Sequence, residues 1–300
     1  MSIEAQGAHV GMAERVIEVG DVQLSIAEAG AGQRPLLLVH GFTGAKEDFT
    51  PWLDGLAESG WHAVAPDLRG HGASSQPTAE DAYSFQLMAD DMLGLADALR
   101  WDRFVLLGHS MGGMIAQVMA CLAAHRLDGL ILMDTTHGPL TNLDPELVQA
   151  AVGIVRSQGI GVLADILASQ RGPLDTPANQ RLLAEQPGYA EFCDRKLRAT
   201  APSMYAAMAP AFATAADRLD QLRALSASLP VLVIVGEQDG PFRRPSERMA
   251  ASVGRAALAV IPDAGHCPQF ENTAAWSQAL GAFLASLAPK SATLTATELL

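Results

Sequence analysis

The chain has 300 residues, a mass of 31.5 kDa, 49% hydrophobic and 18% charged residues, a formal net charge of -13 and a pI near 4.9. That hydrophobic content can fill a sizeable core, which excludes a disordered chain over most of the length. No apolar run reaches the roughly 18 residues a membrane-spanning helix needs. The acidity also works against phosphate backbones and anionic headgroups, so neither nucleic acid nor a membrane is expected as a partner.

Met1 to Glu14 lacks a basic start followed by an apolar run, so no secretory signal is expected there. The three cysteines, Cys121, Cys193 and Cys267, are too few and scattered for a disulfide framework, and no CxxC pair offers a zinc site. The expectation is a cytoplasmic protein, with Cys121 as part of a helical core. Cys267 directly follows His266, and proximity to a site is favoured over a catalytic part for it.

In chain order, Arg15 to Val19 and Val22 to Ala27 alternate around Gly20-Asp21 and predict a hairpin. Pro35-Leu-Leu-Leu-Val-His40 is instead continuously apolar, the pattern of a parallel strand covered on both faces. A helix is predicted from Phe49 to Glu58, a strand from His62 to Pro66 and a long helix from Ser84 to Leu99. The strand Phe104 to Gly108 runs into a helix from Met111 to about Ala124, and Leu130 to Met133 is the next strand. This alternation predicts right-handed βαβ units and a mostly parallel sheet with helices on both faces.

From Gly138 to Leu225 the rhythm stops in an Ala- and Leu-rich stretch broken by Pro145, Pro173, Pro177, Pro187, Pro202 and Pro210. It resumes with the strand Pro230 to Val235, a helix near Ser246 to Ala251, the strand Ala257 to Ile261 and a helix from Thr273 to Leu287. The expected division is a core of residues 1–137 and 226–288, a helical cap over 138–225, and a polar tail over 289–300.

Gly108-His-Ser-Met-Gly112 is a GxSxG motif between an apolar strand and an apolar helix. A sharp strand-to-helix turn holds such a serine in strained geometry, and only small residues two positions to either side avoid a clash. Ser110 is therefore the candidate nucleophile. A serine hydroxyl needs a base to take its proton and donors to hold the oxyanion. The backbone N–H of Met111 is one candidate donor. The loop His40-Gly-Phe-Thr-Gly44 offers the other through the N–H of Phe42, with His40 read as structural.

Eight histidines compete for the base. His9 falls in a loose N-terminus, His62 and His125 near element ends, His71 in the turn Asp67 to Gly72, and His109 is fixed in the elbow pointing away from the serine. His266, in Pro262-Asp-Ala-Gly-His-Cys-Pro268 just after the last strand, is preferred, with His137 as the rival. Asp239, after the strand Val231 to Val235, is the preferred acid. Asp134 at the end of an earlier strand is its rival, and Asp263 reads better as a turn former. The order Ser110, Asp239, His266 is that of hydrolases built on such a sheet.

Together His40-Gly-Phe, Pro66-Asp-Leu-Arg-Gly-His-Gly72, Gly108-His-Ser-Met-Gly-Gly113, Gly236-Glu-Gln-Asp239 and Gly265-His-Cys-Pro268 with Glu271 resemble the single-cap members of the α/β-hydrolase family from about Arg15 to Leu287. The resemblance implies an α/β fold with an eight-stranded, mostly parallel sheet, a lid from the inserted segment, and Ser–His–Asp acyl transfer without metal or organic cofactor. Relatives that dehalogenate or open epoxides carry an aspartate at the nucleophile position, where this chain has Ser110. Esterases, lactonases, C–C bond hydrolases and cofactor-free perhydrolases share the serine. His109 and the plain loop after His40 lean towards ester or lactone substrates, a carboxylic ester hydrolase acting on small or medium apolar molecules.

Substrate contacts are expected from His137, Met204, Tyr205 and Met208, with Phe212 at similar spacing, although the same stripe could pack the cap on the core. A reading of another class, a small-molecule receptor with slow turnover, stays open because fold does not fix function.

Overall fold

The computed structural model describes residues 11–168, 172, 174–225 and 229–287. The N-terminus with His9, Pro173 and the polar tail lie outside the described residues.

The first hairpin pairs β1 (Ala13–Val19) with β2 (Val22–Ala29), and Gly20 takes the left-handed φ of 56° that a tight turn requires. Then come β3 (Arg34–Val39), α1 (Thr50–Glu58), β4 (Trp61–Pro66), α2 (Phe85–Ala98), β5 (Phe104–His109), α3 (Met111–Ala123) and β6 (Leu127–Met133). Between β6 and the next strand, the described residues form helices and no strand: α4 (Pro145–Gln158), α5 (Ile160–Leu167), α6 (Pro177–Glu185), α7 (Tyr189–Arg198), α8 (Pro202–Ala211) and α9 (Leu219–Arg223). Several of the prolines that read as breaks stand in first turns, where a missing N–H costs no bond: Pro145, Pro177 and Pro202. Side-chain oxygens of Asp144 and Thr176 cap α4 and α6. The chain ends with β7 (Val231–Gly236), α10 (Gly240–Ser252), β8 (Ala256–Ile261), α11 (Pro268–Glu271) and α12 (Thr273–Ser286).

The strands form one eight-stranded sheet in the order β1-β2-β4-β3-β5-β6-β7-β8. The pairs β1–β2 and β2–β4 are antiparallel, and every pair from β4 through β8 is parallel. Successive side chains of a strand serve opposite faces. Leu37, Val39 and Leu106 pack with Met88 and Met92 of α2 and Ile115 and Met119 of α3. Leu36, Leu38, Val105 and Leu107 pack with Leu53 of α1 and Trp276 and Leu280 of α12. Both faces are covered, which is why these strands read as continuous apolar runs.

Two expectations are corrected. Helix α10 starts at Gly240, six residues before the predicted Ser246. Pro241 sits in its first turn at no cost and Pro245 is carried inside the helix, so neither proline stops it. Cys121 is exposed and its thiol faces Gln221, because the last turn of α3 emerges from the core that buries its earlier turns. Among the described residues, no helix is long and apolar enough to cross a membrane.

Candidate active site

The parallel strands deliver their C-terminal ends to one edge of the sheet, where the sequence-predicted residues meet. Ser110 lies between β5 and α3 with φ 53° and ψ -116°, a strained conformation for a residue with a side chain. The turn is feasible only because its neighbours lack Cβ atoms. A Cβ on Gly108 would stand 2.2 Å from the Gly112 carbonyl oxygen, and one on Gly112 would stand 2.3 Å from that of Val39. The strain is held from below: the Ser110 N–H donates to Met133 O (2.9 Å), and Thr135 Oγ1 donates to Ser110 O (2.7 Å).

His266 Nε2 lies 2.9 Å from Ser110 Oγ, and its Nδ1 lies 2.8 Å from Asp239 Oδ2. Asp239 directly precedes α10, and its side chain is 1% exposed. The loops carrying Asp239 and His266 touch through glycines: a Cβ on Gly236 would fall 1.9 Å from the Gly265 carbonyl oxygen. The N–H groups of Gln238 and Glu237 donate to Ala264 O and Ile261 O, tying the loops together. Glu271 braces the histidine loop, its Oε2 accepting from the N–H of Gly265 (2.6 Å) and Cys267 (3.2 Å).

Met111 is the first residue of α3, so its N–H has no acceptor within the helix. Phe42 lines the same cavity as Met111. The preceding Gly41 passes so close that a Cβ there would stand 3.0 Å from Ser110 Cβ. His40 is structural, as expected: Nε2 accepts the Leu68 N–H (3.0 Å) and Nδ1 donates to Gly41 O (2.8 Å), which fixes this loop. His71 packs edge-on against His40 at 4.8 Å and donates to Arg69 O. Burial depresses the pKa of both rings, most strongly for His71.

Other expectations divide. Asp263 forms a turn, its N–H bonded to Glu237 and its carbonyl to Arg181. His137 faces Asp217, 2.9 Å away, and is not part of the cavity wall beside Ser110. Met204 and Met208 are fully buried against the core. Met204 covers the turn at Gly70, where an added Cβ would meet it at 2.6 Å. Tyr205 and Phe212 do line the cavity, because neighbouring residues of a helix face different directions. His109 is fixed in the elbow, and its ring turns to His266: the two rings lie 5.0 Å apart, and His109 Nε2 donates to His266 O (2.8 Å). Burial, with a contribution from neighbouring His266, pushes its pKa down to about 3.

The cavity over Ser110 has a volume of about 400 Å³. Its wall is mostly apolar and includes Phe42, Met114, Leu143, Val148, Tyr205 and Phe212. The wall also holds a feature the sequence did not signal, a buried ion pair between Lys196 of α7 and Asp48 in the segment after β3. Asp48 is held below the carboxylate range by Lys196 despite its burial, and Lys196 is raised despite its own, so both are charged. The Cys267 thiol borders the same cavity. Burial raises its pKa well above the usual value, which leaves it a protonated and weak nucleophile.

Asp134 stands beside the His–Asp pair, fully buried. Burial and then the charge of Asp239 push its pKa well above the carboxylate range. Asp134, Asp239 and His266 bring ligand-type atoms within 4.8 Å of one another. A cation does not fit this donor set: His266 Nδ1 and Asp239 Oδ2 are already bonded to each other, and burial disfavours the charged form of Asp134.

Residues 34–273 match the family described as the alpha/beta hydrolase fold, and the chain belongs to that family. Over 283 residues it is 31% identical to 2-hydroxymuconate semialdehyde hydrolase of a Pseudomonas species, covering 90% of this chain and 93% of that protein. It is 32% identical over 133 residues to epoxide hydrolase A of Mycobacterium tuberculosis, which is 44% of this chain and 41% of that relative's length. Among solved structures, a thermophilic esterase from Thermogutta terrifontis superimposes with a TM-score of 0.78 at 30% identity, covering 92% of this chain and 99% of that one.

Proposed function

We propose that the chain is a serine hydrolase that cleaves carboxylic esters of small or medium apolar molecules through an acyl-enzyme. The observation that carries this reading is the continuous chain of bonds from Ser110 Oγ through His266 to Asp239, at 2.9 and 2.8 Å. Ser110 attacks the ester carbonyl as His266 takes its proton. The N–H groups of Met111 and Phe42 receive the oxyanion. His266 then protonates the leaving alcohol and activates the water that releases the acid, while Asp239 fixes the imidazole tautomer. The helices between β6 and β7 act as a cap, supplying the cavity wall through Val148, Tyr205 and Phe212.

The nucleophile separates this reading from epoxide opening, which the partial likeness to an epoxide hydrolase raises. A carboxylate attacking an epoxide forms an ester that water can cleave. A serine would form an ether, which an oxyanion site and a histidine base do not hydrolyse. The apolar cavity favours an uncharged acyl chain of moderate length.

The test is hydrolysis of p-nitrophenyl esters of increasing acyl length by the native protein and by Ser110→Ala. The variant is expected to lose roughly 10³-fold or more in kcat. An optimum at short or medium chains would match the cavity. Turnover that survives the substitution would overturn the reading.

A further inference from the structure

Asp134 directly follows β6, the neighbour of β7, whose following turn carries Asp239. Its backbone holds φ 45°, a left-handed conformation uncommon for a residue with a side chain. The Asp134 N–H donates to Ile234 O (2.9 Å), and its Oδ1 accepts the Gly236 N–H (2.8 Å), so the carboxyl is aimed rather than free to turn. The other oxygen, Oδ2, is buried and receives no hydrogen from an N–H or hydroxyl of any described residue. The same is true of Asp239 Oδ1, the oxygen of that carboxylate not engaged by His266. Two ionised carboxylates side by side would leave two buried oxygens unpaired and repelling each other. One proton shared between them satisfies both.

We propose that Asp134 is a positioning residue, a neutral carboxylic acid whose Oδ2–H donates to Asp239 Oδ1 and so holds that carboxylate against His266 and limits its basicity. The inference rests on the reading of Ser110, His266 and Asp239 as the reacting set. The proton belongs to Asp134 because Asp239 already serves His266, whereas among the described residues Asp134 has one backbone N–H to stabilise a charge. The titratable groups on the elements packed around it are His109 at the end of β5, Asp239 after β7, and His266 and Glu271 after β8. Burial and the two neighbouring acids disfavour ionisation of Asp134, in agreement with the bonding pattern.

The sign of the effect follows. A donor to Asp239 makes it a weaker partner for imidazolium, so removing the donor is expected to move the acid limb of the pH–rate profile upward. The experiment records kcat and kcat/KM for p-nitrophenyl butyrate against pH for the native enzyme, Asp134→Asn, Asp134→Ala and Ser110→Ala, with melting curves for each. In Asp134→Asn an amide replaces the acid as donor and keeps the Oδ1 acceptor. Its acid limb is expected within about 0.2 pH units of the native one, with kcat lowered about threefold. In Asp134→Ala the limb moves up by about 0.5 to 1 pH unit and kcat falls by about 10- to 100-fold.

A downward shift in Asp134→Asn means that a negative charge was removed, and overturns the neutral-acid proposal. Unshifted limbs in both variants make Asp134 merely structural and overturn it as well. Should Asp134→Ala fail to fold, the limb of Asp134→Asn decides alone, since a neutral and an ionised Asp134 predict different results there. Full turnover by Ser110→Ala overturns the triad reading together with the proposal. Loss of turnover there combined with a downward limb in Asp134→Asn overturns the proposal only.

Discussion

In β5 and β7 every residue is buried, whereas α4 to α7 and α9, between β6 and β7, bury only one to three residues each. Helix α4 buries Val152 and Val155 but leaves Leu147 68% exposed. The sheet is packed through both faces into large apolar clusters, while α4, α5 and α8 share two small ones around Val152 and Val155. The difference teaches where tolerance lies. The sheet edge holds Ser110, His266 and Asp239 to hydrogen-bond distances and leaves no room for an added atom. The helical segment supplies cavity wall and can change its exposed surface freely.

The sharpest way to break the contrast is a single methyl group at the sheet edge. Gly236→Ala places a Cβ 1.9 Å from the backbone oxygen of Gly265, which cannot give way as a side-chain tip could. Destabilisation above about 4 kcal/mol is expected, seen as loss of soluble protein or a collapse of Tm. A mild effect would mean that the two loops move apart at low cost.

Next in size is the ion pair that joins the two regions. Lys196→Met leaves Asp48 charged and buried without its partner, and about 3–5 kcal/mol of stability is expected to be lost in urea unfolding. The double variant Lys196→Met with Asp48→Leu is expected to recover most of that loss, because no buried charge remains.

A third effect sits at the end of β5 and in the loops that follow β3 and β4. His40, His71 and His109 are buried with depressed pKa values, so below about pH 6.5 the unfolded chain takes up protons that the folded chain refuses. Stability therefore falls as pH drops from about 6.5, each ring contributing up to about 1.4 kcal/mol per pH unit, and for His109 this continues to about pH 3. Differential scanning calorimetry between pH 7 and 5 measures it. A Tm that stays flat over this range would require compensation from the buried acids.

The smallest prediction reverses sign in the helical segment. Gly153 lies inside α4 with nothing within 4 Å of an added Cβ, so Gly153→Ala is expected to stabilise by about 0.5–1 kcal/mol. The same chemical change then ruins one region and improves the other.

The fold was legible because parallel strands covered on both faces leave continuous apolar runs, and each site residue follows such a run. Ser110, Asp239 and His266 stand at strand ends in short punctuated turns, which is why their meeting could be anticipated. Partners chosen by tertiary packing were not legible. The pairing of Lys196 with Asp48 spans 148 residues, with nothing in either local pattern to announce it. The Asp134–Asp239 adjacency needed the knowledge that β6 and β7 are neighbours, and without it the two acids looked like rivals. The methionines of α8 have the spacing of a cavity wall and of a packing stripe alike. Only the placement of Gly70 beneath Met204 decides between them.

The helical segment leaves the sheet after β6 and returns to β7, its hydrogen-bonded neighbour. Where it leaves, His137 meets where it returns: His137 Nδ1 pairs with Asp217, and the Arg218 N–H donates to His137 O at 2.8 Å. The segment thus hangs from a pinched neck. Loop-closure entropy grows only slowly with length, so a neck already closed by hydrogen bonds can carry a longer, shorter or wholly foreign insert without disturbing the strand register beneath. Joined at this seam, the helical segment could be exchanged at His137 and Asp217, provided its replacement again covers the core that Met204 and Met208 now bury.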